Sequence, residues 1–218
     1  MRTFLSAALG VIFCSVLASN SQAQVVFDNG LNNLNDAYLA SQPQAAGSPT
    51  QHVADDFSFA AQQRITEVNW RGIYWPTDNS PTSDAFVFRI YDDNNGLPTG
   101  VGSQIYEYTA AVVDKSDTGL ILAGSRLFEY SADITPFIAE AGEEYWLEIF
   151  NNVNNVGWFW GANTTIGSLA WTQSTEWSGT GGATAFQLEN GTSAVPEPST
   201  FLLLGAGLGG LAFIRRRK

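Results

Sequence analysis

Few side chains in this chain can do acid–base or nucleophilic chemistry. The 218 residues include one histidine and one cysteine. His52 lies in PTQHVADD, with Asp55 and Asp56 just behind it. A Ser-His-Asp triad needs such a base beside a serine on a sharp strand-to-helix turn, and no serine here has that context. His52 therefore reads as a partly exposed histidine at a strand edge, and a lone histidine argues against a histidine-rich zinc site. Carboxylates are abundant, and glycoside hydrolysis asks only for two of them about 5–10 Å apart. Glu143, Glu144 and Glu148 in EEYWLEIFN are candidates. Alternation places Glu144 and Glu148 on the face of Trp146, a pattern that a solvated strand face also produces.

Two other kinds of site are open to these residues. YDDNNGLPTG offers Asp92, Asp93, Asn94 and Asn95, with Gly96 to turn the chain. Hard oxygen ligands from a loop suit calcium, although the spacing is not that of an EF-hand and the same residues favour plain turns. Calcium is the one cofactor the sequence suggests; nothing calls for another. Aromatic faces can stack on sugar rings. Trp158 and Trp160 point the same way along one strand, while Trp75, Trp171 and Trp177 fall in or near loops. Trp75, Trp158, Trp160 and Trp171 are thus the candidate sugar-stacking residues, to be weighed against a role in the core.

The elements that position these residues are strands. DAFVFRIYDD sets Phe86, Phe88 and Ile90 against Val87, Arg89 and Tyr91, and EEYWLEIFN sets Tyr145, Leu147 and Ile149 against Trp146, Glu148 and Phe150. HVADDFSF, SQIYEYTA, SRLFEYSA, VGWFWGAN and TAFQLENG alternate in the same way. Turn clusters separate them at Pro76–Pro81, Asp92–Gly100, Asp114–Gly119, Asn151–Asn155 and Ser178–Gly182. Roughly nine short strands with such turns predict an all-β fold, an antiparallel β-sandwich of jelly-roll type. Asn163–Thr184 reads as a long loop with one strand inside it. Leu31–Ala40 is the only stretch with helical spacing, and Asn32, Asn33 and Asn35 weaken it. The run of ADDF, VNWRGIYW, FVFRIYDDNNGLP, AGEEYWLEIFN, WFWG and AFQLENG resembles a recurrent β-sandwich module of secreted bacterial proteins. That likeness implies a fold and assigns no activity.

Both ends of the chain differ from this body. Residues 1–23 have a cation at Arg2, an apolar stretch from Phe4 to about Ala18 and a small-x-small site at Ser21-Gln22-Ala23. This is the pattern of a secretory signal peptide. At the other end, Val195-Pro196-Glu197-Pro198 forms a stiff element that no helix can run through. A Gly-bearing apolar run, Phe201–Ile214, follows, and Arg215-Arg216-Arg217-Lys218 closes the chain. Fourteen residues span about 21 Å as a helix, short of a bilayer core of about 30 Å. Starting the transmembrane helix near residue 200, with snorkelling arginines, makes up part of the deficit. The positive-inside rule keeps the four cations cytoplasmic and the acidic domain outside.

This order of Pro-Glu-Pro, short apolar helix and arginine cluster resembles the PEP-CTERM sorting signal of Gram-negative bacteria. The resemblance covers residues 195–218 and implies processing by an exosortase. The precursor would be held in the inner membrane, after passage through the secretion machinery, and the domain then released to the cell surface or matrix. It also implies an association with exopolysaccharide and biofilm.

Composition limits what the mature domain, residues 24–194, can be. Arg64, Arg71, Arg89, Lys115 and Arg126 are its only Lys and Arg residues, against all of the chain's 21 carboxylates except Glu197. Such a surface repels nucleic acid. Cys14 leaves with the signal peptide, so no disulfide or thiol chemistry remains. The expected protein is a non-enzymatic surface or matrix component. A carbohydrate-binding module, calcium-assisted or not, and a polysaccharide hydrolase are the alternatives.

Overall fold

Residues that alternate between apolar and polar can bury one face of a strand, and here that pattern governs almost the whole body of the protein. The computed structural model describes residues 23–39, 51–75, 80–153 and 157–191. The sequence-predicted sorting segment and all of the signal peptide except Ala23 lie outside the described residues, as do Val195–Pro198 and Arg215–Lys218. Ala23–Gly191 forms one unit.

The strands in chain order are β1 (Gln24–Asp28), β2 (Asp36–Leu39), β3 (His52–Ser58), β4 (Gln63–Tyr74), β5 (Phe86–Asp92), β6 (Tyr106–Thr109), β7 (Asp114–Leu122), β8 (Ser125–Ala139), β9 (Glu144–Asn151), β10 (Trp158–Thr172), β11 (Ser178–Thr184) and β12 (Phe186–Asn190). Every strand pairing is antiparallel, and no helix occurs among the described residues. One layer runs β7-β8-β4-β12-β1, and the other runs β6-β5-β9-β3 and on to β10 and β11. β10 belongs to both. Its start, Trp158–Trp160, pairs with Gly72–Tyr74 of β4, and its end, Leu169–Thr172, pairs with His52–Asp55 of β3. The register with β11 shifts between Asn163 and Ser168, an irregularity of the kind that bends a strand. A jelly roll keeps eight strands in two sheets. Here twelve strands form one hydrogen-bonded sheet folded into a sandwich-like body.

The core lies between the layers and is largely aromatic. Trp70 of β4 stacks on its cross-strand partner Tyr130 of β8 at 5.4 Å. It meets Phe86 and Phe88 of β5, in the opposite layer, edge-on at 4.9 and 5.1 Å. Phe57, Tyr145, Trp158, Trp160 and Phe186 extend the same cluster. Rings of this size remove about 150–250 Å² each from water, so the core needs no disulfide to be substantial. Close approach is enforced where β4 meets β10. A Cβ on Gly72 would lie 2.6 Å from the Phe159 carbonyl oxygen and 2.6 Å from the Trp158 ring.

Three local expectations change. The helical spacing at Leu31–Ala40 forms no helix in its described part. The Asp28 carboxylate caps a turn by accepting from the N–H groups of Gly30 and Leu31, and Asp36–Leu39 is strand β2. The asparagines favour the turn over the helix. Asp114–Gly119 and Ser178–Gly182 lie in strands β7 and β11, not in turns. β7 pairs only with β8 and β11 only with β10, and an edge position tolerates Asp, Ser and Gly because little side chain need be buried. Asn163–Thr184 is not a long loop: it comprises the second half of β10, a short connection and β11.

Candidate functional site

The sequence-flagged histidine is the centre of a buried polar cluster on the outer face of the second layer. Strands β3, β9 and β5 lie side by side there, in the register Asp55↔Leu147 and Ile90↔Leu147. Residues whose neighbours face the core therefore point outward together: His52 and Ala54 from β3, Trp146 and Glu148 from β9, Arg89 and Tyr91 from β5. His52 Nδ1 lies 2.8 Å from Glu148 Oε1. The Tyr91 hydroxyl donates to Glu148 Oε2 at 2.7 Å, and Arg89 Nη1 stands 3.7 Å from the same oxygen. Burial is the main cause that pushes the Tyr91 hydroxyl far above the usual phenol range, and the Glu148 charge beside it adds to the effect.

A second apolar cluster roofs this face. Trp177 packs with Ala54, Tyr91, Trp146 and Ala170, and Leu97 and Val101 close over them. The Trp177 ring meets the His52 ring edge-on at 6.1 Å and Tyr91 at 5.6 Å, and its indole N–H donates to the Thr99 carbonyl at 2.8 Å. His52, expected to be partly exposed, is buried, and Glu148, whose pattern also fitted a solvated face, is fully buried. The alternation that placed it on the Trp146 face was sound. That face is covered by another part of the chain, which strand periodicity cannot reveal.

Beside the roof lies an acidic rim. Burial raises the Asp56 and Glu144 carboxyls above their ordinary values, with the charge of Asp93 adding to each shift. Asp93 itself is engaged in its turn. Its carboxylate accepts from the Gly96 N–H at 3.0 Å and from the Trp146 indole N–H at 3.0 Å. Asn94 and Asn95 hydrogen-bond each other through their side chains, and Asn95 and Gly96 both take positive φ, as a tight turn requires. Among the described residues no three His, Asp or Glu side chains converge closely enough to hold a metal ion. Asp92–Asn95 is thus organised as a turn in which Asp93 is already committed to neighbouring N–H groups.

The tryptophans divide sharply. Trp158 and Trp160 are 1% and 0% exposed. Neither ring offers a face to a sugar, which corrects the expectation for both. They point the same way because both point into the core. Trp75 and Trp171 are 54% and 42% exposed and sit at opposite ends of β10: the Trp75 N–H donates to the carbonyl of Gly157, next to Trp158, while Trp171 pairs with Val53 and Ser178. Asp55 is consumed inside the fold, where Oδ2 accepts from the Thr184 hydroxyl at 2.7 Å and from Asn29 Nδ2 at 2.8 Å. A shallow cleft of about 190 Å³, lined by Asn69, Asp114, Glu129 and neighbours, opens over β7 and β8. Small-molecule sites are usually about 300–1,000 Å³.

Sequence reasoning missed one polar centre altogether, which brings together the segment before β5, the end of β9 and β7. Asp84 Oδ2 accepts from Lys115 Nζ at 3.0 Å, and Oδ1 accepts from Asn151 Nδ2 at 2.6 Å and from the Tyr74 hydroxyl. The lysine ammonium lies 4.5 Å from the Tyr74 ring centroid and 4.8 Å from that of Phe128. The available signal was composition: apart from Lys218, Lys115 is the only lysine in the chain.

No curated protein and no solved structure matches the chain. The family model of the PEP-CTERM protein-sorting motif matches residues 194–218. The protein therefore carries a C-terminal PEP-CTERM sorting motif, the mark of an exported, surface-directed exosortase substrate.

Proposed function

We propose that the β-sandwich is a non-enzymatic component of the cell surface or extracellular matrix, delivered there by exosortase processing and associated with exopolysaccharide in a biofilm. The observation that carries this reading is the sorting motif at 194–218. The state of the acid–base residues supports it. His52 and Glu148, the best-placed base and carboxylate, are spent on each other beneath Trp177, and Asp55 is spent on Thr184 and Asn29.

The test has two arms in the native host. Replacing Pro196-Glu197-Pro198 with alanines leaves unprocessed precursor in the membrane fraction; unchanged processing overturns the sorting part. Deleting the host's exopolysaccharide releases the processed domain from the matrix into the medium; retention without the polymer overturns the matrix part.

A second reading, carbohydrate binding, is favoured by the exposed rings of Trp75 and Trp171. Calcium held near Asp92–Asn95 would assist it. A glycan array run with and without calcium separates the two readings. Specific retention that is lost in Trp75→Ala or Trp171→Ala supports the binding module.

A further inference from the structure

The centre around Lys115 assembles the parts of an amide-forming site. We propose that Lys115 and Asn151 form an intramolecular isopeptide bond, with Asp84 as the proton carrier, and that this bond clamps the two layers of the sandwich.

The three residues come from separate elements. Lys115 is on β7, in the layer of β8 and β4, opposite Tyr130. Asn151 ends β9, in the other layer, opposite Phe86. Asp84 lies just before β5 and bridges them: one carboxylate oxygen takes the lysine ammonium at 3.0 Å and the other takes the asparagine amide at 2.6 Å. Both nitrogens also lie 3.3 Å from the Tyr74 hydroxyl, so nucleophile and leaving group are no more than twice that distance apart. The Asn151 carbonyl oxygen accepts the backbone N–H of Ala85 at 3.0 Å, a fixed donor at the atom where negative charge would develop. Tyr74 is buried, and the side chains of Asp84 and Lys115 are 6% and 20% exposed, with Phe128 and Tyr130 packed around the ammonium. Holding reactants in this way raises effective concentration by orders of magnitude over free groups.

The chemistry closes without a co-reactant. Asp84 takes one proton from the Lys115 ammonium. The freed amine attacks Asn151 Cγ, forming the new C–N bond and moving the carbonyl electrons onto Oδ1, beside the Ala85 N–H. Asp84 then passes its proton to Nδ2, and the Cγ–Nδ2 bond breaks as the carbonyl re-forms, releasing ammonia. Asp84 accepts the second proton from the attacking nitrogen and passes it to that ammonia. The products are a secondary amide and ammonium, with Asp84 again a carboxylate. The chain's only cysteine is Cys14, so residues 24–194 have no disulfide with which to do the same job.

Mass spectrometry of the full chain purified from its host tests this. The expected result is a mass one ammonia short of that calculated for the chain between its observed termini. A tryptic digest should leave Lys115 uncut and show Ile90–Arg126 joined to the peptide that begins at Leu127. In Lys115→Arg and in Asp84→Ala the link is absent, while near-ultraviolet circular dichroism of the arginine variant stays native-like. Three results overturn the proposal: a full mass with Lys115 cleaved by trypsin; an ammonia loss that persists in Lys115→Arg, which places it at a succinimide such as Asn95-Gly96; or a loss of water, which places the bond on Asp84.

Discussion

His52 Nδ1 and Glu148 Oε1 stand 2.8 Å apart on an outer sheet face that the chain itself covers. The pair joins β3 to β9, and Tyr91 of β5 donates to the other carboxylate oxygen. Three adjacent strands are thus tied through one glutamate. Removing it strands a histidine and a tyrosine hydroxyl under Trp177. Glu148→Ala is expected to lower unfolding free energy by about 3–5 kcal/mol, as for other broken buried pairs. His52→Ala costs less, about 1–3 kcal/mol, because it orphans a single acceptor. Urea titration followed by tryptophan fluorescence measures both.

The tryptophans provide an internal control. Trp158 is in the core and Trp75 is more than half exposed. Trp158→Ala is expected to cost about 3–5 kcal/mol through lost burial and the cavity left behind. Trp75→Ala is expected to stay within about 1 kcal/mol. Equal losses in thermal unfolding would contradict the assignment of β10's inner face.

Gly72 is a packing requirement and carries no chemistry. A methyl group there meets the Phe159 carbonyl oxygen, a backbone atom that cannot swing aside. Gly72→Ala must push β10 away from β4 at the point where β10 begins its passage between layers. A loss of about 1–3 kcal/mol, the usual range for overpacking, is expected in thermal unfolding. Gly96→Ala, with open space around its Cβ, meets no such clash and pays only for its positive φ.

Acidity should stabilise the domain. The Asp56 and Glu144 carboxyls are raised in the folded state, first by burial and then by the charge of Asp93. A carboxyl raised on folding binds more protons folded than unfolded across the window between its two pKa values. Stability therefore falls as pH rises through that window and is regained on acidification. The urea midpoint is expected to rise as pH is lowered toward the ordinary carboxyl range, about 4. Asp93→Asn should flatten that slope, and added salt should mimic it by screening the repulsion. A slope unchanged in Asp93→Asn would remove the rim from the explanation.

The strands were legible where one face had to be buried. FVFRIYDD and EEYWLEIFN announce β5 and β9, and Phe86, Phe88, Ile90, Tyr145, Leu147 and Ile149, which alternation sets on one face of each strand, are the residues that enter the main core. β7 and β11 were read as turns because edge strands bury little and carry Asp, Ser and Gly. Trp158 and Trp160 were correctly placed on one face, but periodicity alone does not say whether that face is inside. The Lys115 centre was illegible for a different reason. Its members are 31 and 36 residues from the lysine in sequence, as the positions of Asp84 and Asn151 show, and only the folding of β7 and β9 into opposite layers brings them together.

The place of β12 bears on how the protein would carry load. This strand is the last described element before the sorting segment, and it is hydrogen-bonded along both edges, to β1 on one side and β4 on the other. Gln24 lies opposite Asn190, so the first strand begins where the last one ends. A pull on the chain beyond Gly191 runs along β12 and must shear two ladders at once, where an edge strand would peel away one bond at a time. A tether at that end thus meets the sandwich through one of its mechanically firmest strands.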